Sequence, residues 1–326
     1  MNLVVFDMDG VLIDVSNSYR EAVRKTARRF FSAAKNSEKL PDPLFSLDDL
    51  ARLKESGGLN NDWELTARTL HLFFLLMDTD TQGRSAKSAS YEEDMKTYDV
   101  EGLANFLRNS KSPLRHLHAR YGNSGSLFVE SCFRGDVKTG NIIKRMFQEI
   151  YLGSSLFRST YGAAPKFSKD NGLINNETLL CDEVLLKRLT ERNTLAIATG
   201  RPAMEARYTL ERFGIREYFR EVVTLDDVVD REKAILNERN QKVSLSKPNP
   251  FMLDFLAEKT AGSFQKFFYI GDMPDDMQAA RASKKGYRSI GVLYPSPDPQ
   301  NSRKILLQAG ADYIVDNLTA LPEIIG

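Results

Sequence analysis

Asp7 and Asp9 stand two residues apart, directly after the apolar run LVVF at 3–6. A second acidic group, Asp272, Asp275 and Asp276, follows another apolar run, FFYI at 267–270. Carboxylates at the ends of buried strands are costly unless a cation neutralises them. Their spacing suits three kinds of chemistry. An aspartate can attack an electrophile and form an acyl intermediate that water then cleaves. A carboxylate beside it can hand over a proton and recover it. Several carboxylate oxygens together can hold a hard divalent cation such as Mg2+. Asp7 fits the nucleophile and Asp9 the general acid and base. Asp272 fits a direct metal ligand, beside Asp7 and the Asp9 carbonyl, with Asp275 near it. Asp276 suits orienting a lysine or a metal-bound water.

The complementary donors lie elsewhere in the chain. Thr199, Gly200 and Arg201, in TGRP, fall where a strand turns into a helix, so a hydroxyl and helix-start N–H groups can bind an anion. Lys247, in LSKPNP, can balance the carboxylates and reach a bound oxyanion, with Lys233 and Lys242 as competitors for that role. A nucleophile, an acid, a hard cation and oxyanion donors are the parts that phosphoryl transfer requires.

These residues must be brought together by the elements that carry them. The runs at 3–6, 194–199, 221–225, 267–270, 289–294 and 312–315 read as strands. Between the later ones, helices are expected over 177–192, 202–213, 248–260, 277–285 and 302–309. Strands alternating with helices predict a doubly wound parallel α/β sheet. In such sheets ligands bind beyond the carboxyl ends of the strands, where every candidate above is placed.

The first strand cannot bury itself alone, so residues 1–14 and 173–326 are expected to form one α/β core. Residues 15–172 then form a large helical insertion, with helices expected over 16–34, 47–58, 63–77, 100–109, 112–121 and 141–151. Ser18 and Glu21 match a capping box. The polar segment 78–99 and the stretch 153–172 read as loops.

DMDGV at 7–11, Thr199 after its strand, Lys247 before a proline, and GDMPDD at 271–276 resemble, in order, the four motifs of the haloacid dehalogenase (HAD) superfamily of phosphatases and phosphomutases. The pattern is nearest to the phosphoglycolate phosphatase and β-phosphoglucomutase-like branch. That resemblance implies a Rossmann-like core with a C1-type helical cap inserted after the first motif. It also implies Mg2+ as cofactor and a phosphatase that proceeds through an aspartyl phosphate. The implied partner is a small phosphorylated metabolite, such as a sugar phosphate or a phosphoglycolate-like compound. Two readings stay open beside it: a phosphomutase, and a non-catalytic ligand-binding protein of the same fold. In capped relatives the cap selects the substrate, with hinges here near 14–17 and 170–174. Lys54, Asn60 and Asn61, around GGLNND, and Arg20, nearest in sequence to the first aspartates, are the candidate substrate contacts.

Composition closes off other classes. A net charge of +1 over 326 residues gives no electrostatic case for nucleic acid or an anionic membrane. Cys132 and Cys181 lie far apart and form no CxxC or zinc pattern, so free thiols are expected, and His116 and His118 do not share a helix face. The longest apolar stretch, 72–77, is too short to span a bilayer. With no signal peptide evident, a cytoplasmic protein is expected. Nothing in the sequence bears on oligomeric state.

Overall fold

Residues 3–6 include two valines and no polar side chain, and all four are buried in strand β1 (Asn2–Phe6). Burial on both faces places such a strand inside a parallel sheet. The computed structural model describes residues 1–55, 61–77, 90–260, 262–294, 296 and 298–326. In chain order the further strands are β2 (Ile13–Asp14), β3 (Thr178–Leu179), β4 (Asn193–Ala198), β5 (Phe219–Val223), β6 (Phe267–Gly271), β7 (Tyr287–Val292) and β8 (Tyr313–Val315). Six of them form one parallel sheet in the order β5-β4-β1-β6-β7-β8, while β2 and β3 pair antiparallel. The sheet is doubly wound α/β, as expected. From β1 the chain runs outward through β4 and β5, then returns to the other side of β1 for β6, β7 and β8. That reversal puts the switch point, and hence the ligand crevice, at the end of β1.

The chain divides into two compact units, Met1–Val15 with Thr178–Gly326, and Ser16–Glu177. In the α/β unit, Leu3, Val5, Ala196, Ala198 and Tyr269 pack against Met252, Leu253 and Leu256 of the helix Phe251–Lys259. Ala279 and Ala280, from the helix Pro274–Ala282, join the same cluster. The helix expected over 177–192 is shorter, Glu183–Thr190. Asp182 caps it, accepting from Leu185 N at 2.6 Å, and Thr178–Leu179 are drawn into β3 instead. The helix Leu225–Arg239 is absent from the sequence reading. Leu225, Val228, Val229, Ile235 and Leu236 do recur at helical spacing, although only Val228 is buried.

The Ser16–Glu177 unit is helical, with no strand among its described residues. Its centre is aromatic: Phe30, Phe31, Phe73, Phe74 and Phe128 are all buried, with Phe31 stacked on Phe74 at 5.4 Å between centroids. The helix Asp62–Met77 supplies Phe73 and Phe74 and forms where expected. The capping box of Ser18 and Glu21 does not form. Ser18 Oγ donates instead to Glu177 Oε1 at 3.1 Å, and Glu21 pairs with Arg24. Glu177 is a buried carboxylate that also accepts from Tyr151 Oη at 2.8 Å, and its need for donors outweighs a helix start.

The stretch 153–172 is partly helical, which corrects the loop expected there. The helix Ile142–Tyr161 continues through a kink at Gly153, where φ is 73°. A Cβ at Gly153 would lie 2.2 Å from Gly172 N, so the close approach of the two backbones requires glycine. Of the segment 78–99, residues 78–89 lie outside the described residues. Tyr91–Met95 form a short helix with Tyr91 and Met95 buried, not a loop. No helix among the described residues is long and apolar enough to cross a membrane.

Candidate active site

The adjacency of β4, β1 and β6 decides the site. Asp7 follows β1, Thr199 follows β4 and Asp272 follows β6, so three candidates from distant parts of the chain share neighbouring strand ends. The register holds to the last residue, with Asp7 N donating to Ile270 O at 2.8 Å. One oxygen from each of Asp7, Asp272 and Asp276 lies within 4.8 Å of the others.

Gly10 makes room for this cluster. Its φ is +75°, and a Cβ there would meet Asp272 Oδ2 at 2.1 Å. The turn after β1 therefore closes directly over the Asp272 carboxylate. Asp7 is 7% exposed. Burial pushes its carboxyl up to about 7, the Lys247 ammonium opposes the rise, and Asp276 and Asp9 add to it.

Lys247 lies between two carboxylates, with Nζ 2.8 Å from Asp7 Oδ1 and 2.7 Å from Asp276 Oδ1. Burial works against its charge, yet Asp276 and Asp7 hold it well above the ordinary lysine value. Asp276 is itself fixed. It accepts from Tyr269 Oη at 2.9 Å and from Met273 N at 3.1 Å, which locks the start of the helix Pro274–Ala282. Asp275 is half-buried, and burial raises its carboxyl. The competitor Lys233 pairs with Asp230 at 3.8 Å and is largely exposed.

Asp9 and Arg201 form the second charged pair. Arg201 is 1% exposed, and its Nε and Nη2 lie 2.6 and 2.5 Å from the same oxygen, Asp9 Oδ1. Arg201 Nη1 also donates to Thr209 Oγ1 at 2.9 Å. The sequence places Arg201 on a bound phosphate; in the structure its guanidinium is engaged by Asp9 and Thr209, because a buried cation needs a carboxylate. Thr199 Oγ1 accepts from Arg201 N at 3.2 Å, and Ala203 N at the helix start donates to Asp226 Oδ2 at 2.7 Å. Two of the N–H groups expected to face an anion are thus already capped from within the protein. Gly200, between them, is exposed.

The remaining candidates belong to the helical unit. Lys54 pairs with Asp62 at 3.4 Å, and Asn61 caps the helix Asp62–Met77 by accepting from Glu64 N at 2.8 Å. Arg20 is partly buried, and its Nε has no hydrogen-bond partner. Asn60 lies outside the described residues. Sequence reading missed Tyr269 and Thr209, which hold Asp276 and Arg201. Tyr269 left one signal: a hydroxyl inside an otherwise apolar buried strand must find a partner.

A family model for haloacid dehalogenase-like hydrolases matches residues 1–284. The chain belongs to that hydrolase family. The resemblance read from the four motifs and the α/β fold agree with it. An imidazoleglycerol-phosphate dehydratase from Phytophthora nicotianae is 24% identical over 322 residues, covering 96% of this chain and 49% of that protein. A phosphoglycolate phosphatase from Vibrio parahaemolyticus is 26% identical over 132 residues, 40% of this chain and 49% of that protein. The chain thus matches about half the length of these curated relatives. Among solved structures, a Northeast Structural Genomics Consortium target superposes with a TM-score of 0.64 at 22% identity, covering 100% of this chain and 98% of that one. At that identity the likeness speaks for the fold alone.

Proposed function

We propose that this chain is a Mg2+-dependent phosphatase that hydrolyses a small phosphorylated metabolite through an aspartyl phosphate on Asp7. The observation that carries the reading is the convergence of Asp7, Asp272 and Asp276 with Lys247 at the end of β1. The donor set is all oxygen, which suits a hard cation, and the glycine at position 10 lets the turn lie against the Asp272 carboxylate. Asp7 and Asp272, with the Asp9 carbonyl, would hold Mg2+. When bound, the ion would neutralise Asp7 and the phosphoryl oxygens.

In the reading, Asp7 attacks phosphorus: an Oδ–P bond forms and the ester P–O bond breaks. Asp9 gives a proton to the leaving oxygen. It then takes one from the water that attacks the acyl phosphate, which releases phosphate and restores Asp7. Arg201 holds Asp9 by Oδ1 alone, so Oδ2, which accepts no bond among the described residues, is the oxygen available for that proton. Lys247 bridges Asp7 and Asp276 and can neutralise a phosphoryl oxygen bound beside them. The α/β unit is the catalytic core in this reading, and the helical unit is the cap that selects substrate. The phosphoglycolate phosphatases among the relatives support a small phosphorylated acid as the substrate class.

The test is hydrolysis of a generic aryl phosphate with Mg2+, with EDTA, and with Asp7→Asn. Activity that needs Mg2+ and vanishes in Asp7→Asn is expected. Turnover that persists in Asp7→Asn would remove the nucleophile assignment. Transfer of the phosphoryl group to a second hydroxyl of the substrate, with little release of phosphate, would favour the phosphomutase.

A further inference from the structure

The described residues include two buried arginines, and they differ in one respect. Arg201 has the carboxylate of Asp9. Arg68, 8% exposed on the helix Asp62–Met77, has none. It forms no ion pair among the described residues, and burial alone draws it below the ordinary arginine value. Its one hydrogen bond runs from Nη1 to the neutral carbonyl of Ser124, at 2.6 Å. Arg68 Nε and Nη2 are buried with no hydrogen-bond partner among the described residues. A guanidinium carries its donors in a rigid fork matched to carboxylate and phosphate, and leaving that fork empty and dry is costly.

The surroundings of Arg68 add donors, and the one acid whose charge reaches His71, Glu130, is exposed and lies 3.8 Å from Arg134. His71, one turn further along the same helix, accepts from Ser126 N at its Nδ1, at 2.9 Å. Burial pushes this imidazole down to about 4, so near neutral pH it is uncharged and carries its proton on Nε2. Ser126, 5% exposed, has a buried hydroxyl with no partner. Gly125 between the two serines lets the loop lie on the ring, since a Cβ there would come within 3.2 Å of His71 Nδ1. The helix and the loop thus bring together three polar side chains whose open groups can all donate.

We propose that Arg68, Ser126 and His71 form an oxyanion-binding site in the helical unit, with the Arg68 fork taking a carboxylate or phosphate group. Such a group has two sources: an acid group of the substrate remote from its phosphoryl ester, or a separate organic acid acting as an effector. The binding itself does not depend on the phosphatase reading; assigning it to the substrate does.

The test uses the full chain in EDTA, with malonate as the probe because it lacks a phosphoryl group. Binding is followed by calorimetry and by thermal unfolding against chloride at equal ionic strength. Wild type is expected to bind malonate and to gain stability from it. Arg68→Met should weaken that binding at least tenfold while remaining folded, since it replaces an unpaired buried charge with an apolar side chain. Arg68→Lys, which keeps the charge and loses the fork, and Ser126→Ala should weaken it less, and they carry the test if Arg68→Met does not fold. No binding of malonate or phosphate to wild type, or equal binding by all the variants, would overturn the site.

Kinetics then distinguish the sources. A tenfold or greater loss of kcat/KM in Arg68→Met on a phosphorylated hydroxy acid, with aryl phosphate unaffected, assigns the anion to the substrate. Loss of malonate binding with both substrates unaffected assigns it to an effector. If neither substrate is turned over by wild type, the phosphatase reading fails and the calorimetric result still stands.

Discussion

Replacing Asp7 with asparagine should stabilise the metal-free protein at alkaline pH while removing its activity. The carboxyl of Asp7 is raised from 3.8 to about 7, chiefly by burial. Because the folded value lies above the unfolded one, the folded state keeps a proton that the unfolded state has released. Its contribution to stability is fully present below about pH 4 and is lost as pH rises through about 7. A rise of about three units corresponds to an upper bound of about 4 kcal/mol for holding Asp7 ionised in the absence of metal. Asparagine does not titrate, but it gives up the charge that Lys247 neutralises at 2.8 Å. A net gain of about 1–3 kcal/mol is therefore expected at pH 8, and none at pH 4. The assay is urea unfolding of both proteins in EDTA at pH 4, 6 and 8. Mg2+ at a hundredfold excess over Kd should shrink or reverse the difference, because wild type gains about 2.7 kcal/mol and the variant gains less. If Asp7→Asn lowers stability equally at pH 4 and pH 8, the account of Asp7 as a buried, charge-strained carboxylate is refuted.

Gly10→Ala should abolish Mg2+-dependent turnover, because its Cβ would fall 2.1 Å from Asp272 Oδ2 at a φ of +75°; normal activity would show that the turn does not close over Asp272. Arg201→Gln should lower kcat by about 10- to 100-fold on an alkyl phosphate and by less on an aryl phosphate, whose leaving group needs little help from Asp9. An equal loss on both would point to a structural role for Arg201. His71 is held near 4 in the folded protein against 6.5 unfolded, so its contribution is present above about pH 6.5 and lost as pH falls through about 4. Relative to His71→Gln, wild type in chloride buffer should lose about 1–2 kcal/mol between pH 7 and pH 4, after allowing for the ring's partial exposure. Parallel pH profiles for the two proteins would exclude a buried neutral imidazole.

The sequence alone was enough for the kind of sheet, and it singled out Asp7, Asp272 and Asp276, which the fold then brings together. Asp7 and Asp272 each follow an apolar run that forms a strand, and apolar runs beside charged residues are visible without coordinates; Lys247, expected directly before a helix, lies instead in the turn that precedes the helix Phe251–Lys259. Local patterns failed where a distant partner outbid a near one. Ser18 has the form of a helix cap but serves the buried carboxylate of Glu177, 159 residues away. Arg201, read as a phosphate ligand, also has a partner that no local pattern shows, Asp9, 192 residues away. The helix Leu225–Arg239 was legible in the spacing of Leu225, Val228, Val229, Ile235 and Leu236 and was missed.

What only the tertiary structure decided is who neighbours whom. The strand order sets β4 and β6 on either side of β1, and so brings Thr199 and Asp272 to the end that carries Asp7. It also left Arg68 buried with no carboxylate partner among the described residues, a condition no sequence pattern records. The physical reason is common to all of these. Hydrophobic period and turn chemistry act over a few residues, whereas the cost of an unpaired buried charge is settled by whichever group the fold delivers to it.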